Sequence, residues 1–247
     1  MKIEYRISLW NYTHYTCTGS LEEAVKEIIA AGYGVEIWPI WKSEGNLINN
    51  PENWERLKLL FKDTKPSLHS AEIMTFDEHR RQIDAVAYIG GDVIVVHQDH
   101  LKLVRTPTDY GLAKDMVLYA KDKGVTIALE NQGVEGNLKV LEEALSKIED
   151  LKICLDTGHI FYTRQNMQIY VDVLRKHIIH LHLQDPSPQR DHLIPGSGEI
   201  KKEEWQYLFQ ILKEENFHGA GVFEIKPRGP LLSVQDGKRF LSGLRAK

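Results

Sequence analysis

Apolar runs recur along the chain at intervals of roughly 30 residues. Each ends in a polar or charged residue and hands over to a loop and a stretch of helical period. The runs are Ile3–Trp10, Val35–Trp38, Pro66–His69, Val93–His97, Thr126–Glu130, Ile153–Asp156, Ile178–Leu183 and Gly221–Ile225. Between them lie Ser20–Ala31, Pro51–Asp63, Phe76–Ile89, Thr108–Lys123, Asn137–Ile148, Gln165–Lys176 and Lys201–Glu215, with Ser233–Leu244 closing the series. Short strands alternating with helices predict a parallel sheet covered by helices. Val93-Ile94-Val95-Val96 shows no polar alternation, as expected of a strand buried on both faces. Eight such units predict an α/β chain folded as a (β/α)8 TIM barrel, one domain over 1–247. No Gly-x-Gly-x-x-Gly follows the first run, which argues against an open dinucleotide-binding sheet. Helix starts carry local signals: Ser20 with Glu23 as a capping box, and Asn50 before Pro51.

The strand ends carry the chemistry. Runs two to eight finish at or beside Glu36, His69, His97, Glu130, Asp156, His182 and Glu224. In a barrel the C-terminal strand ends share one mouth, so these side chains are expected in one pocket. Glu130, Asp156, His182 and Glu224 would form a hard, oxygen-rich set with one imidazole. That set suits one divalent ion, Mn, Co, Mg or Zn. Three acids in one mouth also repel one another, and a cation relieves that repulsion.

The composition excludes some classes. Lys+Arg number 31 and Asp+Glu 35, a net charge of −4 that gives no global pull toward nucleic acid or an anionic membrane. No run reaches the length of a membrane span, and Met1–Arg6 does not read as a signal peptide. Two cysteines, Cys17 and Cys154, in unlike surroundings predict no disulfide and a cytoplasmic setting.

The chain resembles the xylose-isomerase-like barrel superfamily of sugar-phosphate isomerases, ketose 3-epimerases, inosose-metabolising enzymes and endonuclease IV. The likeness is carried, in family order, by Ala128-Leu129-Glu130-Asn131, Leu155-Asp156-Thr157-Gly158-His159, His180-Leu181-His182-Leu183-Gln184-Asp185, Asp191–Ile200 and Val222-Phe223-Glu224. The resemblance implies Glu130, Asp156, His182 and Glu224 as metal ligands. It implies Glu130 and Glu224 as the proton-transferring pair of a sugar or sugar-phosphate isomerase or epimerase, acting next to a carbonyl through a metal-stabilised enediolate. His159, expected in the loop above strand six, would contact a substrate oxygen. Dehydration of an inosose or related keto-polyol on the same site is a first alternative. A second is an endonuclease IV-like zinc phosphodiesterase on abasic DNA. It would place additional zinc at His69/His97 or His159/His192, but the basic surface that grips DNA is missing. A third is a barrel that keeps the metal and only binds a ligand. The family often has Lys where this chain has Gln184, and ketose 3-epimerases have Arg where it has Pro188.

The remaining candidates line the same mouth. Glu36 is expected either to touch substrate or to be a salt-bridged structural acid. His69, His97 and His192 are expected to line the pocket, and Trp10 and Trp38 to stack on a sugar face. Arg190, Lys226 and Arg228 are candidates for a substrate phosphate. His180 is expected one layer deeper as a hydrogen-bonded core residue. Trp41 is expected in a loop as a lid or contact between copies. The expected partner is a sugar or polyol, with no nucleic acid and no membrane; homo-oligomerisation is a family-level expectation.

Overall fold

The computed structural model describes residues 1–15, 19–70, 75–103, 109–226 and 230–245. Cys17 and Arg228 lie outside the described residues. Eight parallel strands close into a barrel: β1 (Lys2–Ser8), β2 (Gly34–Ile37), β3 (Ser67–His69), β4 (Val93–Val96), β5 (Thr126–Glu130), β6 (Lys152–Asp156), β7 (Ile178–Leu183) and β8 (His218–Phe223). Each strand pairs with its neighbour in sequence, and β8 returns to pair with β1 from Lys2↔His218 to Ile7↔Phe223. The helices α1 (Leu21–Ala30), α2 (Glu52–Leu60), α3 (Phe76–Ile89), α4 (Gly111–Asp122), α5 (Asn137–Lys147), α6 (Met167–Leu174), α7 (Lys202–Glu214) and α8 (Pro230–Arg245) follow the strands in turn.

Strand parity divides the side chains. Ile7, Val35, Ile37, Leu68, Ile94, Val96, Leu129, Leu155, Leu181 and Phe223 join the main core between strands and helices. The alternate positions face the barrel axis. There only a small apolar group forms, Val93, Val95, Ala128 and Cys154. Most other inward positions toward the C-terminal mouth are polar: Ser8, Glu36, Ser67, His69, Glu130, Asp156, His180 and His182. The barrel therefore takes its hydrophobic stabilisation from its outer layer and spends its interior on charge.

Local signals act where expected. Glu23 N donates to Ser20 Oγ, and Ser20 N donates to Glu23 Oε2. Asn50 Oδ1 accepts from Glu52 N at the start of α2. Other expectations need correction. The first strand stops at Ser8, and Trp10 opens a short helix, Trp10–Tyr15. The last strand begins at His218 rather than Gly221. A Cβ at Gly219 would lie 2.0 Å from Ile179 O, so the residue serves close strand approach. His159 sits on a helix, Thr157–Tyr162, not in a loop; Asp156 Oδ1 caps it by accepting from His159 N at 2.7 Å. Two hairpins went unread, Ile40–Trp41 with Gly45–Asn46 and Asp185–Ser187 with Arg190–Leu193. The first explains Trp41, which is 1% exposed and part of the core, not a lid. No helix of the described residues is long and apolar enough to cross a membrane.

Candidate metal centre

The four expected ligands come from four consecutive strands. Glu130 ends β5, Asp156 ends β6, His182 lies one residue before the end of β7, and Glu224 follows β8. Register sets Asp156 opposite His182, whereas Glu130 pairs with Cys154 and Glu224 lies two residues beyond Val222, the partner of His182; the donor atoms meet across this stagger. One donor atom from each lies within 4.8 Å of the others. His182 Nδ1 is 2.9 Å from Glu130 Oε1, 3.3 Å from Glu224 Oε2 and 3.8 Å from Asp156 Oδ2. Glu130, Asp156 and His182 are fully buried, and Glu224 is 5% exposed.

The electrostatics of this set fit a divalent cation. Among the described residues, these carboxylates ion-pair only with histidines, never with Lys or Arg. Burial alone would raise the Glu130 carboxyl, but the charges of His182 and His97 outweigh it and hold it well below the usual range. Glu224 is likewise desolvated, and His182 brings it down to about 2. Burial opposes charge on His182, yet its acidic neighbours keep it protonated well above the usual imidazole value. Three carboxyl groups thus converge on one proton-bearing nitrogen. A divalent ion can take that proton's place with three oxygen ligands and one nitrogen.

Buried amides hold the ligand backbone in place. Asn131 Oδ1 accepts from Asp156 N at 2.7 Å, and Asn131 Nδ2 donates to Asp156 O at 2.9 Å. Asn11 brackets Glu224 in the same way, donating to Phe223 O at 2.8 Å and accepting from Ile225 N at 2.9 Å. Gln184 donates through Nε2 to both Asp156 carboxylate oxygens, at 3.1 and 3.0 Å, and accepts from His192 N at 2.9 Å. Sequence reasoning missed Asn11 and the role of Asn131. Asn131 adjoins Glu130, a usable signal; Asn11 carries none.

The structure brings the other candidates around this centre in a graded way. His69 Nε2 and His97 Nε2 both approach Glu130 Oε2, at 3.2 and 2.9 Å. Burial works against charge on His69, but contact with Glu130 raises it to about 9. His69, Glu130 and His182 form a further group with metal-binding spacing, while His97 stays 31% exposed. His159 Nδ1 lies 2.8 Å from Asn131 O and 3.6 Å from Glu130 Oε1. His192 Nε2 lies 3.8 Å from Glu224 Oε2, and its ring lies tilted by 37° against Trp10, with centroids 4.6 Å apart. Trp38 contacts His69 at 5.2 Å. Both tryptophans are half-buried walls of the mouth. Lys226 is paired with Asp191, so its charge is already met. Arg190 is exposed on a hairpin strand, without an ion pair among the described residues.

Glu36 does not reach the pocket surface. It is fully buried behind His182, accepts from Ser67 Oγ at 2.9 Å, and meets His180 Nε2 at 2.9 Å. Of its two expected roles, the salt-bridged acid matches this placement, and His180 is the core residue expected. Cys154 Sγ and one nitrogen each of His180 and His182 also lie within 4.8 Å of one another, in the layer below. A cavity of about 580 Å³ opens at the other end of the barrel, lined by Arg6, Lys65, Asp92, His180 and His218 among others. Glu130, Asp156, His182 and Glu224 are not part of its wall, so it is separate from the candidate metal centre.

Comparison with known proteins agrees with this architecture. A family model described as xylose isomerase-like TIM barrel matches residues 66–244. Inosose dehydratase from Histophilus somni (strain 129Pt) is 25% identical over 134 residues, which is 51% of this chain and 43% of that protein. The match therefore spans less than half of the curated relative. A D-tagatose 3-epimerase-like protein superposes with a TM-score of 0.78 at 21% identity, covering 99% of this chain and 97% of that one. A 3-keto-D-glucoside 4-epimerase from E. coli gives 0.70 at 19% identity, covering 98% and 100%. At such identities the superpositions speak for the fold.

Proposed function

The chain belongs to the xylose isomerase-like TIM barrel family, and from that premise we propose that it is a divalent-metal-dependent sugar or sugar-phosphate isomerase or epimerase. The observation that carries this reading is the convergence of Glu130 and Glu224 on His182 Nδ1, at 2.9 and 3.3 Å, from two non-adjacent strands. Glu130, Asp156, His182 and Glu224 would hold one ion of Mn, Co, Mg or Zn, which when bound supplies positive charge to polarise a substrate carbonyl. One glutamate then removes the proton from the carbon beside that carbonyl, and the electron pair moves toward the carbonyl oxygen. The other glutamate returns a proton to the same or the neighbouring carbon. Glu224 keeps slight exposure where Glu130 has none, which supports Glu224 as the group that meets substrate from the open side. His69, His97, His159 and His192 would position substrate hydroxyls, Trp10 and Trp38 would flank the sugar, and Arg190 would meet a phosphate.

A second reading is dehydration of a keto-polyol, and the inosose dehydratase relative favours it. The first proton transfer is the same. The electron pair then expels the hydroxyl one carbon further on, which leaves as water after taking a proton from a neighbouring acid. Zinc at His69 and His97 with Glu130, or near His159 and His192, is an extension of either reading. It rests on the shared Glu130 Oε2 contacts and on the two rings of the second pair lying 6.2 Å apart.

Elemental analysis of the purified chain followed by substrate exchange in deuterated water tests the proposal. One ion per chain with solvent deuterium entering a ketose next to its carbonyl is the expected result. A new ultraviolet chromophore from a keto-polyol would move the dehydratase first. Near three zinc ions per chain with cleavage of abasic DNA would replace both.

A further inference from the structure

We infer that Glu36, Ser67 and His180 form a positioning unit that sets the ring orientation and tautomer of His182, turning a salt-bridged cluster into a metal site. The inference rests on the metal-dependent reading above and deepens it. Glu36 reaches across the barrel interior from β2 toward β7. Its Oε1 lies 3.1 Å from His182 Nε2, on the side of the ring opposite the three carboxylates; this is an ion-pair contact outside hydrogen-bond geometry, and neither buried atom has another hydrogen-bond partner. Its Oε2 is held by Ser67 Oγ and His180 Nε2, each at 2.9 Å. All four side chains are fully buried.

Once an ion takes the place of one His182 proton, the imidazole is left with a single N–H. An ionised carboxylate only accepts, so Glu36 draws that N–H to Nε2. Nδ1 is then left with its lone pair facing Glu130, Asp156 and Glu224. Without Glu36 the opposite tautomer wins, because Glu130 Oε1 already waits 2.9 Å from Nδ1. Nδ1–H would donate to it, and the nitrogen would be closed to a metal. Ser67 and His180 complete the device by satisfying Oε2, which fixes the carboxylate with Oε1 turned to His182. Ligating histidines are commonly oriented by a carboxylate on their far nitrogen; here that carboxylate is itself anchored by Ser67 on β3 and by His180 on β7.

The bland alternative is a polar plug that fills the barrel axis and serves stability alone. The two differ in what substitution does to metal affinity. The full chain and its Glu36→Gln, Ser67→Ala and His180→Gln variants would be stripped of metal and titrated with Co2+ against a chelator. Visible absorption of the bound ion and thermal unfolding of the metal-free proteins would be recorded alongside. Glu36→Gln is expected to weaken Co2+ binding by roughly ten- to hundredfold and to change the visible bands. Ser67→Ala should act in the same direction by less. Wild-type affinity and bands in every folded variant, whatever their melting temperatures, would overturn the inference. If Glu36→Gln does not fold, Ser67→Ala and His180→Gln decide by the same criterion. Loss of Co2+ binding in Glu224→Gln with none in Glu36→Gln would overturn the positioning role and leave the proposed function standing. A wild-type chain that takes up no Co2+ overturns both.

Discussion

Glu224 is the residue on which the proposed chemistry turns, since it joins the ligand set and keeps contact with the open mouth. Glu224→Gln keeps the shape and removes the charge. It should cut turnover by roughly 10²–10⁴-fold while leaving the far-ultraviolet circular dichroism unchanged; normal turnover would remove Glu224 from the mechanism. His100 sets a different kind of residue-level dependence. Burial, with the nearby charge of His97, pushes its imidazole from the ordinary 6.5 down to about 4. His79, whose Nε2 meets His100 O at 3.0 Å, is lowered by burial too. A histidine that stays neutral in the fold but is protonated once unfolded favours the unfolded chain in acid. Its contribution to stability is whole above pH 6.5 and is lost as the pH falls toward 4. Urea midpoints should therefore drop from pH 7 to pH 5, and His100→Gln should drop less steeply over that interval. Parallel slopes would mean that His100 does not titrate in this window.

At the scale of elements, strands and helices were legible because period and burial agree along almost every segment. Val93–Val96 reads as a strand buried on both faces and is one. The two hairpins were not legible, since strands of two to four residues carry no period, and Asp185-Pro186-Ser187 looks like a turn. The helix at Thr157–Tyr162 is hidden in the sequence because its cap, Asp156, also ends a strand; Oδ1 caps the helix while Oδ2 faces His182. Within the site, the meeting of Glu130, Asp156, His182 and Glu224 at one mouth, with His180 a layer below, was readable from strand parity. The backbone clips were not, because an asparagine announces nothing until its partners are placed. Gly158 shows how tightly this helix is set. A Cβ there would lie 2.3 Å from Gln184 Oε1, the side chain that donates to Asp156. Gly158→Ala should cost about 1–3 kcal/mol and weaken metal binding as Gln184 is pushed aside. Unchanged unfolding and unchanged affinity would show that Gln184 has another place to go.

For the whole molecule, the feature to weigh is the polar axis inside an apolar shell. A bound ion should stabilise the barrel by mass action, about 2.7 kcal/mol when its concentration is a hundred times the dissociation constant. Stripping with EDTA should lower the melting temperature, and Mn2+ or Co2+ should restore it; equal melting of the two forms would mean that no ion is bound. Asn11 belongs to this scale because it ties the segment after β1 to the backbone on either side of Glu224. Asn11→Ala leaves the Phe223 carbonyl and the Ile225 amide buried without that partner, at a cost of about 2–3 kcal/mol read from chemical unfolding.

β8 carries that link further. It is the strand that meets β1, and Glu224 follows it directly. Sealing the ring therefore also carries Glu224 to the other three candidate ligands. A partly assembled barrel, with β1 to β7 in place and β8 loose, offers an ion three ligands and an open side, so it holds metal poorly. On the proposed metal reading, an ion would act as an inspector of closure: tight retention would certify that the first and last strands have found each other. A nick between α7 and β8 should show itself as metal leakage before the remaining helices lose their shape.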